Sequence, residues 1–296
     1  MTQGHSLTDL PIIRCSLRPQ TKAAIRDFAD ALKTSAPQLA RIGGDVETFW
    51  DSGLFRGAIE RLRGQQAASM KLKRAFVASI LDFLKDGGWI RGWISAGGGD
   101  RHDYEVTLPD RTVTAIEAKG CLDGNNTNIF QRPPNADEFI IWSLCQNTGA
   151  DPRHNAWSGI HTRLSAELIK RRERVDGLLI WDMVCGGLGR ICPKLEANPV
   201  RFTAVGRRKL PPPCIYLFPR TVPDARNNPS PRCWKLSEVK FLHLLHRAFK
   251  GDSEDVTEVR IEADIDGATV RRTTRLVRNG VEIIASLPTP IKRANA

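Results

Sequence analysis

Apolar residues recur at helical spacing over 21–41 (TKAAIRDFADALKTSAPQLAR) and 70–86 (MKLKRAFVASILDFLKD), and the second stretch stops at Gly87-Gly88. The first quarter of the chain therefore reads as helical. From Trp89 the period changes to two. WIRGWIS alternates like a strand, Gly97-Gly98-Gly99 makes a break, and YEVTL and TVTAIEAKG follow as two more strands. Residues 135–146 and 159–175 read as helices, the latter with a basic Lys170-Arg171-Arg172 end. Asp176-Gly177 then introduces GLLIWDMV, a near-continuous apolar run suited to a strand buried on both faces. Helix, three strands, two helices and a strand in this order predict an α/β fold: a central mixed sheet flanked by helices.

Further on, Pro211-Pro212-Pro213 precedes a short apolar strand, CIYLF, and a loop rich in Pro, Arg and Asn spans 219–231. A helix is expected over about 235–249. Asp266-Gly267 and Asn279-Gly280 are hairpin signals that divide the tail into a three-stranded β-meander. The organisation expected is an N-terminal helical region (1–69), a core (70–220) and a basic C-terminal region of helix plus meander (221–296) packed on that core.

Composition narrows the class. No apolar run approaches the roughly 20 residues needed to cross a bilayer, and residues 1–14 lack the basic start and apolar block of a secretory signal, so a cytoplasmic protein is expected. The seven cysteines are odd in number, widely spread and without a CxxC pair, which fits reduced thiols. Cys185 with Cys192, and His243 with His246, lack the usual zinc-ligand spacing. Net charge is +11, distributed as +4 over residues 1–100, −1 over 101–200 and +8 over 201–296. A balanced middle between basic flanks is the distribution a protein needs to grip a polyanion and act on it, although arginine richness can equally reflect host composition.

The chemistry concentrates in GGGDRHDYEVTLPDRTVTAIEAKG, residues 97–120. Pro109 holds φ near −65° and so forbids the two-residue primed turns, leaving a loop of three to five residues around Asp110. If Leu108 faces Thr112, then Tyr104 faces Ile116, Val106 faces Thr114, and Asp103 faces Glu117. One face of the hairpin then gathers Tyr104, Val106, Leu108, Ile116 and Ala118, and the other Asp103, Glu117 and Lys119. Directly opposed carboxylates have Cβ atoms about 5 Å apart, close enough to share a divalent ion. Such an ion polarises a phosphoryl oxygen and acidifies a bound water. Lys119, on the face of Glu117, can orient the water and stabilise developing charge.

These residues resemble the PD-(D/E)XK nuclease superfamily, which includes most type II restriction endonucleases. The likeness covers roughly residues 70–184: Glu117-Ala118-Lys119 ending in Gly120 matches the ExK half, and Asp103 matches the metal-binding aspartate. His102, where the family has proline, is a departure. The resemblance implies Mg2+ bound by Asp103 and Glu117, with Lys119 completing the catalytic set, and often a homodimer.

Other positions compete. Pro109-Asp110 is a literal Pro-Asp, but at about 3.3 Å per residue it lies roughly 20 Å from Glu117 along the strand. Asp100 is a second contender for Asp103. Glu238-Val239-Lys240 repeats ExK inside a helical pattern, where the two charges point apart. The resemblance admits a helix glutamate, for which Glu47 and Glu60 are candidates against a plain surface role. Asn125, Asn126, Asn128, Gln131 and Arg132 follow the catalytic strand and are able to read base edges or simply to form turns. His154-Asn155 with His161 is a faint histidine-metal pattern. Arg271, Arg272, Arg275 and Arg278 cannot all share one strand face, so at most half of them could contact phosphates.

The activity expected is Mg2+-dependent endonucleolytic hydrolysis of double-stranded DNA of the type II restriction kind, with a cognate DNA methyltransferase as a possible partner. The alternatives are a repair, recombination or phage nuclease of the same fold, and a non-catalytic basic DNA-binding protein.

Overall fold

The computed structural model describes residues 70–96, 102–120, 131–144, 152–181, 185, 192, 194 and 197–291. The expected helix at 21–41 and the region 1–69 lie outside them.

Helix α1 (Met70–Asp86) forms where the helical spacing predicts, burying Phe76, Val77, Ile80, Leu81 and Leu84 along one stripe. Its last carbonyls accept from Gly87, Gly88 and Trp89, and Gly88 takes the left-handed φ of 70° that ends the helix. Strands β1 (Gly92–Ser95), β2 (Tyr104–Thr107) and β3 (Val113–Lys119) follow, each antiparallel to its neighbour. Strands β4 (Glu138–Ser143) and β5 (Gly177–Ile180) extend the sheet in parallel with β3. The link between β4 and β5 is α2 (Pro152–Gly159), a π-helical turn (Ile160–Leu164) and α3 (Ser165–Arg171). A small hairpin, β6 (Thr203–Val205) with β7 (Arg208–Leu210), leads to β8 (Cys214–Leu217), antiparallel to β5. After α4 (Lys240–Ala248), β9 (Val256–Asp266) pairs in parallel with β8, and β10 (Thr269–Arg278) and β11 (Val281–Ala285) complete the meander, with β12 (Thr289–Pro290) also on β10.

The result is an α/β architecture: a mixed ten-stranded sheet in the order β1-β2-β3-β4-β5-β8-β9-β10-β11, with few helices. On one face α1 and α4 pack against Tyr104, Ile116, Trp142 and Leu179. The other face, carrying Ala115, Phe139, Ile141 and Leu178, is covered by Ala156, Ile160, Leu164 and Leu168. Contact between α4 and β5 is close enough that a side chain on Gly177 would meet Leu242 Cδ1 at 2.4 Å. Among the described residues no helix is long and apolar enough to cross a membrane.

Two expectations change. Residues 138–143 form a strand, not the middle of a helix over 135–146. All six are buried, because β4 lies between β3 and β5 with a layer on each face. Its centre, Phe139–Trp142, is apolar at every position, so alternation is lost and the run imitates a buried helix. The helix expected over 159–175 begins at Pro152 and passes through the π turn before ending at Arg171.

The junction before β9 rests on a buried charge cluster. Asp255 is 2 % exposed and pairs with Lys194 at 2.8 Å and with Arg201. Burial alone raises its pKa. The Lys194 charge and hydrogen bond, the Asp252 N–H and Arg201 outweigh that and leave it below the ordinary carboxylate value. A depressed folded-state pKa adds stability above the unfolded value, about 3.9, that is lost as pH falls through the folded value. The stability gap between wild type and Asp255→Asn, read by thermal melting, is therefore expected to be widest near neutral pH and to shrink below about pH 4. A gap that stays constant down to pH 3 would contradict this.

Candidate active site

The register of the β2–β3 hairpin sets up the site. Leu108 and Thr112 close a three-residue loop, with Leu108 N–H donating to the Thr112 carbonyl at 2.9 Å and Arg111 in the left-handed region at φ 71°. Tyr104 then pairs with Ile116 and Val106 with Thr114. Just before β2 begins, Asp103 lies beside the Ile116–Ala118 segment, at the end of β3 that runs in parallel beside β4. Asp103 N–H donates to the Ile116 carbonyl at 3.0 Å, and the Ala118 N–H returns a bond to Asp103 Oδ2 at 2.8 Å. The aspartate is thereby fixed across from the Glu117-Ala118-Lys119 segment.

Glu117 is 8 % exposed, on the sheet face away from α1 and α4, and its Oε1 accepts from Lys119 Nζ. Burial pushes its pKa up; Lys119 works the other way through a hydrogen bond and its charge, the Asp103 charge adds to the rise, and His102 opposes it. The net shift is upward. Tyr104, pushed up to about 12 by burial first and Asp103 second, also registers the aspartate's field. His102, where the resembled family has proline, bonds Glu105 at 3.0 Å, and Asn135 bonds the same carboxylate oxygen at 3.0 Å. Glu105 is thus the next acid along this face and is already engaged.

At the end of β3 a small pocket of about 20 Å³ is lined by Lys73 and Arg74 of α1, Asp103, Tyr104, Lys119 and Gly120. That is room for about one water or ion. The α1 lysine and arginine were not anticipated, and no local signal marks them. Helical periodicity assigns a face, not the strand end that the face meets.

Among the described residues no group of three or more His, Cys, Asp or Glu is placed to hold a metal ion. Asp103 lies within electrostatic reach of Glu117, and a pair of carboxylates fits Mg2+, which keeps several waters and is bound through one or two carboxylates with substrate phosphates supplying the rest. The upward shift of Glu117, part of it caused by the neighbouring aspartate, is the electrostatic strain a dication would relieve. Lys119 engages Oε1 of Glu117, and the second carboxylate oxygen, Oε2, is the one that could ligate an ion.

The other candidates fall elsewhere. Asp100, Glu47, Glu60, Asn125, Asn126 and Asn128 lie outside the described residues, as do the side chains of His154 and Asn155. Gln131 is exposed. Arg132 is not free to read bases: it donates from Nη1 to Asp176 Oδ2 at 2.6 Å, from Nε to the Ala136 carbonyl at 3.1 Å and from Nη2 to the Asp137 carbonyl. His161 stacks on Trp157 with ring centroids 5.0 Å apart.

The two rejected motifs meet each other. Asp110 accepts from Lys240 at 2.5 Å, and Glu238 pairs with Arg220, in a cleft at the opposite end of β3 from the candidate site. Glu238-Val239-Lys240 straddles the end of a 3-10 turn and the start of α4. The meander arginines also divide. Arg271 pairs with Asp266, and Arg275 with Glu262 and Glu282, on the outer face. Arg272 is buried and donates to Ser165 Oγ at 2.7 Å and to the His161 carbonyl at 2.6 Å. Arg278 bonds Thr257 Oγ1 at 3.2 Å. The meander therefore neutralises Arg271 and Arg275 internally rather than presenting a phosphate-binding stripe.

Comparison of the chain with protein-family models, with curated proteins and with solved structures returned no match, so the functional reading rests on the geometry above.

Proposed function

We propose that this chain is a Mg2+-dependent endonuclease of the restriction-endonuclease-like kind, hydrolysing phosphodiester bonds in double-stranded DNA. The observation that carries the reading is the hydrogen bond that holds Asp103 to the Ala118 N–H, between Glu117 and Lys119, with the Lys119 amine against Glu117. Three residues separated by up to sixteen positions converge at the end of one strand, in the combination that phosphodiester hydrolysis needs.

Asp103 and Glu117 would hold the ion, whose contribution when bound is to polarise the phosphoryl group and acidify water. Asp103 is kept in place by the Ala118 N–H. Glu117, in a largely dry setting, has its negative charge favoured by Lys119. Lys119 Nζ, held beside Glu117, is a compact cation that would orient the attacking water and stabilise charge on the phosphoryl oxygens. A homodimer follows as part of the proposal, since one such site per chain cuts one strand. A methyltransferase protecting the same sequence would be the natural partner.

The test is incubation of purified protein with unmethylated plasmid. Discrete fragments are expected with Mg2+ and none after EDTA. Degradation from ends or at junctions would move the assignment to a repair, recombination or phage nuclease. A second reading has an observation in its favour: the Glu117–Lys119 pair is closed. A basic DNA-binding protein using that pair only as a strut would retain plasmid on a gel and leave it intact with Mg2+ present.

A further inference from the structure

Lys73 stands out among the cations of the described residues. It lies on α1 and is half-buried, and the wall it shares with Asp103 and Lys119 places it at the candidate site. Its Nζ is 3.6 Å from the point where a side chain on Gly120 would begin, so the amine hangs over the backbone just past Lys119. Burial lowers its pKa. Among the described residues it makes no ion pair or hydrogen bond.

A half-buried ammonium with no counter-ion among the described residues is favoured by the arrival of an anion. The surrounding charges favour one. Asp103 is bonded to the Ala118 N–H, and Glu117 and Lys119 neutralise each other. Lys73 and Arg74 thus leave the pocket with an excess of positive charge on its α1 side. Gly120 adds no side chain at the point nearest the Lys73 amine.

We infer that Lys73 grips a phosphodiester oxygen of the strand being cut, so that the DNA backbone passes over Gly120 between α1 and the end of β3. The inference rests on the nuclease reading and adds to it the side from which the strand enters. Lys73 acts by holding substrate, and it need not touch the reacting bond. Its signature is electrostatic: each phosphate neutralised releases counterions, so the logarithm of the binding constant falls with the logarithm of salt in proportion to the number of contacts.

The experiment titrates a short fluorescent duplex of mixed sequence with the full chain in Ca2+, over a range of salt, and measures plasmid cleavage in Mg2+ separately. Lys73→Met keeps most of the apolar stem. It is expected to bind about tenfold more weakly at moderate salt, to lose about 0.9 from the salt slope and to keep its melting temperature, while Lys73→Arg recovers the slope. Lys119→Ala is the control that separates the two ideas. If wild type binds no duplex, or Lys119→Ala cleaves as well as wild type, the nuclease reading fails and takes this inference with it. If Lys119→Ala loses cleavage while Lys73→Met keeps the wild-type slope, or Lys73→Arg does not recover it, only the role of Lys73 is overturned.

Discussion

Replacing Lys119 with alanine is expected to slow Mg2+-dependent cleavage of plasmid DNA by about 10²–10³-fold, the usual loss when one preorganised electrostatic stabiliser is removed from a reacting centre. Glu117→Gln and Asp103→Asn should lose at least as much, because each removes one of two anionic anchors for the ion. The three effects should not add, since residues that act as a unit lose most of their effect with the first removal. DNA retention in Ca2+ should survive Lys119→Ala. A pH signature accompanies the loss. Lys119 is the largest of the contributions that oppose the burial-driven rise in the Glu117 pKa. Without it, Glu117 keeps its proton to higher pH, and residual activity should move towards the alkaline side. Full activity in Lys119→Ala, or an unshifted pH profile in a variant that still cleaves measurably, would oppose the assigned role.

The largest stability effect is expected at Asp176. This carboxylate is 2 % exposed, accepts from Arg132 Nη1 at 2.6 Å and from the Phe139 N–H at 2.8 Å, and lies 3.3 Å from Arg174 Nε. It joins the entry of β4 to the entry of β5. Asp176→Ala strands the Arg132 guanidinium and a strand N–H together, at a cost of about 3–5 kcal/mol. Arg132→Ala leaves the opposite charge buried and should be nearly as damaging. Both are read by urea unfolding. The contrast with a recognition role is sharp: if Arg132→Ala keeps its stability but relaxes the choice of cleavage sequence, the arginine reads DNA and the structural account is wrong.

The hairpin that carries the candidate site was legible because its determinants are local. Period-two alternation on both arms and the restriction that Pro109 imposes on the turn are enough to pair Tyr104 with Ile116 and Val106 with Thr114, and the pairing observed between β2 and β3 is the one those rules require. Glu117 and Lys119 share a face for the same reason. What fails is what depends on neighbours distant in sequence. Residues 138–143 misled because a central strand has no solvent face to print a period on the chain. Arg132 looked available because the carboxylate that binds it is forty-four positions away. Asp110 and Lys240, separated by 130 positions, belonged to two motifs rejected separately, and they meet as an ion pair.

The amino-acid order by itself determined the hairpin, its register and the side on which each charge emerges, because backbone geometry alternates side chains with a fixed period and the turn residues set the phase. Only the tertiary structure decided that β4 is a strand, that the meander's charges cancel and that α1 brings Lys73 to the end of β3. Those outcomes depend on which surfaces are covered and which distant partners meet, and burial and long-range pairing are properties of the assembled layers rather than of any window of sequence.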